Sequence, residues 1–169
     1  MIREEHPDDI KDIRQIHRQA FGQDMEADIV DTLRINCKDL LSLVAVEEGR
    51  LIGHSLFSPA WIRNPHDNIA GMGLAPMAVL PEWQRRGVGS RLVREGIERL
   101  AAGRCPFIIV LGHPDYYPRF GFQIASRFGI RCHWEGVPDE AFLILWLNPC
   151  LPERISGLAE FREEFNQAV

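Results

Sequence analysis

The sequence lacks a long apolar segment. Its longest uninterrupted apolar run covers seven residues, Ala141 to Leu147, whereas a membrane-spanning helix needs roughly 18 or more. The first residues, Met-Ile-Arg-Glu-Glu-His, also lack the basic and then apolar order of a signal peptide. We therefore expect no membrane association and a cytoplasmic location.

Cysteine is scarce and shows no metal-binding spacing. The four cysteines include no Cys-x-x-Cys pair, and the six histidines include no His-x-x-x-His pair. A reducing compartment leaves such isolated thiols unpaired. We expect four reduced cysteines and no metal site. The cysteines are Cys37, Cys105, Cys132 and Cys150.

Lysine is nearly absent, since Lys11 and Lys38 are its only occurrences among 169 residues. Arginine carries the positive charge instead. The window from Glu82 to Arg104 holds six arginines against three glutamates, although the whole chain has a formal net charge of −5. A basic region within an acidic protein favours a discrete anionic ligand and argues against a nucleic-acid partner. The solvated face of an amphipathic helix is the alternative explanation of the same charges.

Hydrophobic periodicity predicts helices and strands in one globular unit, since 46% of the residues are hydrophobic and 25% charged. Apolar residues at helical spacing, with His17 among them, predict a helix that ends at Gly22, and a second helix begins at Asp24. Two β-prone runs around Glu48-Gly49 predict a hairpin. Further strands are predicted at 73–80, 107–111, 122–125 and 141–147, and helices at 88–101 and 158–165.

A glycine turn separates the strand at 73–80 from the helix at 88–101. In the segment Gln84-Arg-Arg-Gly-Val-Gly-Ser90, two glycines stand where the helix begins, and free N–H groups at a helix N-terminus bind phosphate. A Walker A motif is excluded because no lysine lies nearby. The dinucleotide-binding pattern is excluded because Leu92 stands where its third glycine belongs. The turn alone leaves a purely steric use of glycine open.

The segment Gln84-x-x-Gly87-x-Gly89 resembles the Gln/Arg-x-x-Gly-x-Gly/Ala signature of the GNAT superfamily of acyl-CoA N-acetyltransferases. The helix pair, the hairpin leading to Gly53 and the Tyr117-Pro-Arg-Phe-Gly-Phe segment lie where that family has counterparts. The stretch from Gly53 to Pro59 and the Tyr-Tyr pair further resemble a bacterial subgroup of predicted acetyltransferases. The resemblance implies an α/β (α+β) GNAT fold, with a mixed, mainly antiparallel seven-stranded sheet flanked by helices on both faces.

The resemblance also implies one N-acetyltransferase domain over residues 1–169. Residues 1–70 would supply acceptor-side helices and a hairpin, 71–111 the acetyl-CoA-binding strand-helix-strand core, and 112–169 the tyrosine turn, the final strands and the C-terminal tail. In the family, backbone N–H groups of the signature bind the CoA pyrophosphate, and the preceding strand pairs with the pantetheine. Pro76 independently predicts a bulge or splay in that strand. The implied acetyl-CoA contacts are Met77, Ala78, Val79, Gln84, Arg85, Arg86, Gly87, Val88, Gly89, Ser90 and Tyr116, with the Met77 N–H donating to the thioester oxygen.

Attack of an amine on a thioester needs one group that removes a proton from the amine and another that protonates the departing thiolate. By the resemblance Tyr117 is the proton donor, with Tyr116 as its substitute and simple packing as the alternative. His54 is the first candidate base, on the strand expected to flank the acceptor cleft, and its alternative is a structural role. Glu26 is the second candidate, and it can instead bind a cationic acceptor or cap its helix. The segment 112–116 is shorter than its family counterpart, so the cofactor contacts of that longer helix are not expected here.

The sequence thus predicts an enzyme that moves acetyl from acetyl-CoA to a primary amine without a covalent intermediate. Acidic residues in the second helix favour a small cationic acceptor, and a homodimer is left open. The sequence leaves two alternatives to this prediction. The first is a non-catalytic acyl-CoA-binding regulatory protein, and the second is an acyltransferase that uses other acyl-CoAs or hydroxyl acceptors.

Overall fold

Three α-helices and nine strands make up the described part of the chain, residues 1–168 of a computed structural model. The helices are α1 (Ile10–Phe21), α2 (Met25–Asn36) and α3 (Val88–Ala102). The strands are β1 (Ile2–Glu4), β2 (Leu41–Glu47), β3 (Arg50–Arg63), β4 (Asn68–Val79), β5 (Phe107–Leu111), β6 (Gln123–Ile124), β7 (Ile130–Cys132), β8 (Phe142–Trp146) and β9 (Gly157–Glu160). None of the helices in this range is long and apolar enough to cross a membrane.

The strands form one mixed sheet in the order β1-β2-β3-β4-β5-β8-β6, and β9 pairs with both β3 and β7. The pairs β4–β5 and β7–β9 are parallel, and the other pairs are antiparallel. The expected mixed, mainly antiparallel sheet is confirmed. Residues 1–168 contribute nine strands instead of seven because the short β7 and β9 extend the sheet beside the far end of β3.

Helices cover both faces of the sheet, as expected. Along β3, Gly53 faces Val88 and Leu92 of α3, whereas the next residue, His54, faces His17 of α1. Consecutive strand residues point to opposite faces of a sheet. One face is therefore covered by α3 and is named the α3 face here, and the other is covered by α1 and α2 and is named the α1 face.

The strands β4 and β5 diverge, as the proline in β4 predicts. They pair only at Met72–Ile108 and Gly73–Ile109, and the rest of β4, residues 74–79, pairs with β3 alone. The Ala75–Pro76 peptide bond inside this segment is cis. We name residues 74–79 the open arm of β4. Within the described residues no strand covers the second edge of the open arm, so its backbone groups are available to a ligand at that edge.

The C-terminal segment differs from the sequence prediction. The predicted helix over 158–165 is wrong, because Gly157–Glu160 forms β9 and a 3₁₀-helix follows at Glu163–Ala168. β9 pairs with Trp61–Arg63 at the end of β3 and with β7 on its other side. Pairing with strands distant in sequence outweighs a weak local preference for helix.

Candidate active site

The N-terminus of α3 is uncapped. Gly87, which precedes the helix, lies in the left-handed region with φ 79°, and no side chain caps the first turn. The first N–H groups of an α-helix have no partner within it, and the helix dipole gives this end a partial positive charge. A Cβ placed on Gly87 would meet no atom within 4 Å, so the space beside the turn is free of protein. The turn therefore has the properties of an anion-binding site.

Side chains of the turn attach it to the sheet. Gln84 Nε2 donates to the Val79 carbonyl oxygen at 3.0 Å, which joins the turn to the last residue of the open arm. The Arg86 guanidinium lies 5.3 Å from the centroid of the Trp83 ring. Arg85 and Arg86 are both exposed, so two cations flank the free N–H groups.

Four of the expected cofactor residues converge at the start of α3. Tyr116 Oη lies 3.1 Å from Ser90 Oγ. A Cβ on Gly89 would lie 3.2 Å from Tyr116 Oη and 3.5 Å from Met77 Cε. Met77 belongs to the open arm, Gly89 and Ser90 to α3, and Tyr116 to the segment after β5. The structure thus brings together residues that the sequence separates by up to 39 positions, counted from Met77 to Tyr116.

Tyr117 lies beside this cluster in an aromatic environment. It begins a 3₁₀-turn over Tyr117–Phe120, and its ring packs over Gly112, just after β5. The ring makes edge contacts with Tyr116 and Phe122, at centroid distances of 5.1 and 5.6 Å. Burial raises the pKa of the Tyr117 phenol, and Tyr116 adds to the effect. The phenol is therefore protonated at neutral pH and able to donate.

His54 does not line an open cleft, contrary to the expectation. It is fully buried on the α1 face, and both of its ring nitrogens are occupied. Nδ1 lies 2.8 Å from His17 Nε2, and Nε2 lies 2.8 Å from Ser42 Oγ. Burial lowers the His54 pKa, so the ring is neutral. No ring nitrogen of His54 is free to meet an acceptor amine in this arrangement.

The hydrogen bonds of His54 continue to Glu5. Ser42 Oγ also contacts Glu5 Oε2, and Glu5 Oε1 accepts from Arg34 Nε at 2.6 Å. Partial burial of Glu5 opposes ionisation, but the nearby His54, whose Nε2 lies 3.7 Å from Glu5 Oε2, and hydrogen bonds from Arg34 and Ser42 outweigh it and lower the Glu5 pKa to about 2. Glu5 is therefore a carboxylate at one end of a chain that runs through Ser42 and His54 to His17. The sequence gives one indication of this hydrogen-bonded chain, which is the polar His17 among the apolar residues of α1.

The acids of α2 are mostly neutralised within the chain. Arg14 pairs with Asp28 at 2.6 Å and with Asp31 at 2.7 Å. Asp24 pairs with Arg18 at 2.6 Å. The half-buried Glu26 instead accepts from the amide of its neighbour Gln23, at 2.9 and 3.2 Å. The acidic helix thus gives little support to the expected cationic acceptor, and Glu26 lies at the start of α2 rather than beside the tyrosines.

Comparison with known proteins decides the family. The family model for the acetyltransferase (GNAT) domain matches residues 1–125. The chain belongs to the GNAT family. It is 34% identical over 168 residues to YhbS of Escherichia coli K12, an uncharacterized N-acetyltransferase, and the match covers 99% of each chain. YjhQ of the same strain, also an uncharacterized N-acetyltransferase, is 45% identical over 117 residues, which cover 68% of this chain and 65% of that one.

Two solved GNAT structures share the fold of this GNAT chain and contain the donor or its product. The crystal structure of YhbS from E. coli in complex with CoA matches with a TM-score of 0.91 and 34% identity, over 98% of this chain and 91% of that one. A GNAT family acetyltransferase from Brucella melitensis in complex with acetyl-CoA matches with a TM-score of 0.79 and 34% identity, over 98% and 97% of the two chains. Membership of this family makes the chain an acetyl-CoA-dependent acetyltransferase.

Proposed function

We propose that this chain transfers acetyl from acetyl-CoA to a primary amine by direct attack, with no covalent enzyme intermediate. The observation that supports this most is the uncapped N-terminus of α3 beside the open arm of β4. The helix offers N–H groups to a diphosphate, and the arm offers an unpaired strand edge to an extended thioester. These two features lie next to each other because residues 80–87 connect them directly, and the Gln84 side chain hydrogen-bonds to Val79 between them.

The donor contacts follow from this arrangement. The N–H groups of residues 85–90 bind the pyrophosphate of CoA, and the exposed Arg85 and Arg86 add positive charge. The backbone of Met77, Ala78 and Val79 pairs with the pantetheine, and the Met77 N–H donates to the thioester oxygen. A backbone donor of this kind contributes about 2.7–4 kcal/mol in acyl transfer, because it stabilises the oxygen as negative charge develops.

Tyr117 is the proton donor to the departing thiolate in this proposal. Its protonated phenol lies beside the Tyr116, Ser90 and Met77 cluster, where the thioester end of the donor would arrive. Tyr116 contacts the cofactor and is the substitute donor. Glu26 stays a prediction, as the second candidate base or as a group that binds the acceptor. The cytoplasmic location, the single domain and a homodimer also stay predictions from the sequence.

A glycine variant at the turn tests the donor site. In Gly87→Val, the added side chain would occupy the free space beside the turn, and we expect acetyl-CoA affinity to fall by on the order of 10- to 100-fold. Each hydrogen bond to a charged group contributes about 1.5–3 kcal/mol, and at least one would be lost. Isothermal titration calorimetry with acetyl-CoA measures the change.

The matched control is Gly49→Val. Gly49 has nearly the same backbone conformation, φ 78° against 79° for Gly87, and also has no protein atom within 4 Å of a Cβ. The strain of a β-branched residue at positive φ is therefore similar in both variants, but Gly49 lies in the β2–β3 turn. Unchanged affinity in a folded Gly87→Val protein would contradict the donor site.

A thiol-release assay with an amine panel then separates the alternatives. Release of CoA thiol with amines supports N-acetyl transfer. Tight binding of acetyl-CoA without thiol release for any acceptor would instead identify an acyl-CoA-binding regulatory protein. Longer acyl-CoAs and hydroxyl acceptors in the same panel test the remaining acyltransferase chemistry.

A further inference from the structure

A pocket of about 520 Å³ opens at the C-terminal end of β5, and we name it the β5 pocket. Its volume lies within the range of small-molecule sites. Leu111 and Gly112 line one side of it, and residues of the segment 135–141, which precedes β8, line the other. The Gly112 N–H donates to the Ala141 carbonyl oxygen at 2.9 Å, so the two sides are fixed against each other. Leu111 is 38% exposed, and the pocket is open to solvent.

The β5 pocket lies at the same end of the sheet as the open arm of β4. The two strands run parallel where they pair, at residues 72–73 and 108–109, so their C-terminal ends continue in the same direction. Gly112 faces the ring of Tyr117 and hence the α3 face, and its neighbour Leu111 therefore points to the α1 face. A molecule in the pocket can thus approach the gap between β4 and β5 from the face opposite the donor turn.

The phenol of Tyr117 lies against the wall that Gly112 gives the pocket. A Cβ on Gly112 would lie 3.3 Å from Tyr117 Cζ, the carbon that carries the hydroxyl. Only 8% of Tyr117 is exposed, and its hydroxyl has no hydrogen-bond partner within residues 1–168. Buried polar groups in proteins are normally hydrogen-bonded, so this hydroxyl indicates that a bound molecule supplies the partner.

The polar lining of the β5 pocket is acidic and lacks a matching cation. Its polar side chains are His113, Glu135 and Glu140, and no lysine or arginine lines it. Neither glutamate forms an ion pair within residues 1–168, in contrast to most of the acids of α2. The nearby Arg119 is held elsewhere, since its Nε donates to the Tyr116 carbonyl oxygen at 2.9 Å and its guanidinium lies over the Tyr116 ring. The pocket therefore favours a cation from outside the chain.

We propose that the β5 pocket binds the acceptor, and that the acceptor is a small linear amine with a second positive charge, which Glu135 and Glu140 recognise. This inference rests on the proposed function. The apolar side chains of Leu111 and Val137 contact the carbon spacer between the two charges. The reacting nitrogen first loses one proton to solvent and then forms its C–N bond as the C–S bond of the thioester breaks. The thiolate takes the Tyr117 proton, and the nitrogen releases a second proton to solvent, which also reprotonates Tyr117.

Kinetics with matched pairs of amines test the second charge. Linear diamines of three to six carbons are each compared with the monoamine in which a methyl group replaces one amino group. We expect kcat/KM of at least one diamine to exceed that of its monoamine by on the order of 10-fold, since exposed ion pairs are individually weak and two act here. Added salt should reduce this preference, because it screens exposed charges.

Removal of the two charges from the pocket assigns the preference to its residues. The double variant Glu135→Gln with Glu140→Gln keeps the shape of both side chains. It should bring the preferred diamine to within about twofold of its monoamine, mainly through a higher KM, and leave the monoamine within about twofold of the wild-type value. Thiol release measures both.

The matched control is Glu98→Gln with Glu153→Gln. Both residues are exposed and do not line the β5 pocket, and this double variant changes the net charge by the same amount, so it should keep the diamine preference. Three outcomes would overturn the inference alone: no diamine preferred over its monoamine, an equal loss of the preference in the control, or a preference that survives in the pocket variant. If the wild-type protein releases no thiol with any amine, the proposed function and the inference fail together.

Discussion

The two faces of the sheet obtain their polar groups in different ways. On the α3 face the candidate donor site uses backbone N–H groups of one continuous turn, residues 84–90, and the backbone of the neighbouring arm. On the α1 face the polar groups are side chains from four separate elements. Glu5 follows β1, His17 lies on α1, Ser42 on β2 and His54 on β3.

This difference determines how each face responds to change. Backbone donors do not titrate, so the α3 face keeps its anion-binding character across a wide pH range. The α3 face is instead sensitive to added side-chain volume, because its turn depends on glycine and α3 packs closely against the sheet. The α1 face depends on buried imidazoles that are neutral, and their protonation is opposed by burial. We therefore expect acid to destabilise the α1 face and added side-chain volume to disturb the α3 face.

The largest contrast between the faces should appear with pH. Above about pH 6.5, the ordinary pKa of histidine, His17 and His54 are neutral in both the folded and the unfolded chain, so their protonation does not reduce the free energy of unfolding. Below it, the unfolded chain binds protons that the folded chain rejects, so the free energy of unfolding falls by up to about 1.4 kcal/mol per pH unit for each histidine. Glu5 adds a loss in the same direction, only below its ordinary pKa of 4.5. Urea unfolding between about pH 7.5 and pH 5 measures the histidine part.

Two variants test which groups cause the change of the free energy of unfolding with pH. His17→Leu should reduce this slope by up to about 1.4 kcal/mol per pH unit, because the unfolded chain then binds one proton fewer. His66→Gln should leave it unchanged, since His66 is exposed in the loop between β3 and β4. An unchanged slope in His17→Leu would mean that another group, outside the buried chain, titrates on unfolding.

The second prediction concerns catalysis on the α3 face. Tyr117→Phe should lower kcat by on the order of 100-fold at saturating acetyl-CoA, because the thiolate then leaves without a positioned proton donor. Acetyl-CoA affinity should hold, since phenylalanine keeps the ring over Gly112 and against Phe122. Thiol release measures kcat, and calorimetry measures affinity. Near wild-type turnover would refute the assignment, and loss of turnover in Tyr116→Phe instead would move the role to Tyr116.

The same contrast explains what the sequence predicts well. The glycine turn before α3, the splay at Pro76, the hairpin at Glu48-Gly49 and the three α-helices depend on residues close in sequence, and the structure has all of them. Local patterns express such features because turn glycines, proline and helical periodicity act within a few residues.

The features that the sequence missed depend on distant residues. His17 and His54 are 37 positions apart in the sequence, and Asn36 is hydrogen-bonded to Glu164, which is 128 positions away. No local pattern shows that β9 will pair with β3, or that Arg14 will neutralise Asp28 and Asp31. The prediction that His54 lies beside an open cleft was wrong for the same reason, because α1, which is distant in the sequence, packs over His54 and buries it.

The smallest predicted effect tests the packing of the α3 face. A Cβ on Gly96, in the middle of α3, would overlap the ring of Phe57 on β3. Alanine usually stabilises a helix interior relative to glycine by about 1 kcal/mol, but overpacking costs about 1–3 kcal/mol. Gly96→Ala should therefore lower the free energy of unfolding by up to about 2 kcal/mol, and equally at all pH values because no proton is involved. Gly103→Ala, at the end of the same helix with ordinary contact distances of 3.5 and 3.6 Å, should cost far less. A loss that grows with acidity in Gly96→Ala would show that the two faces are coupled, since α3 would then be affecting the histidines on the opposite side of the sheet.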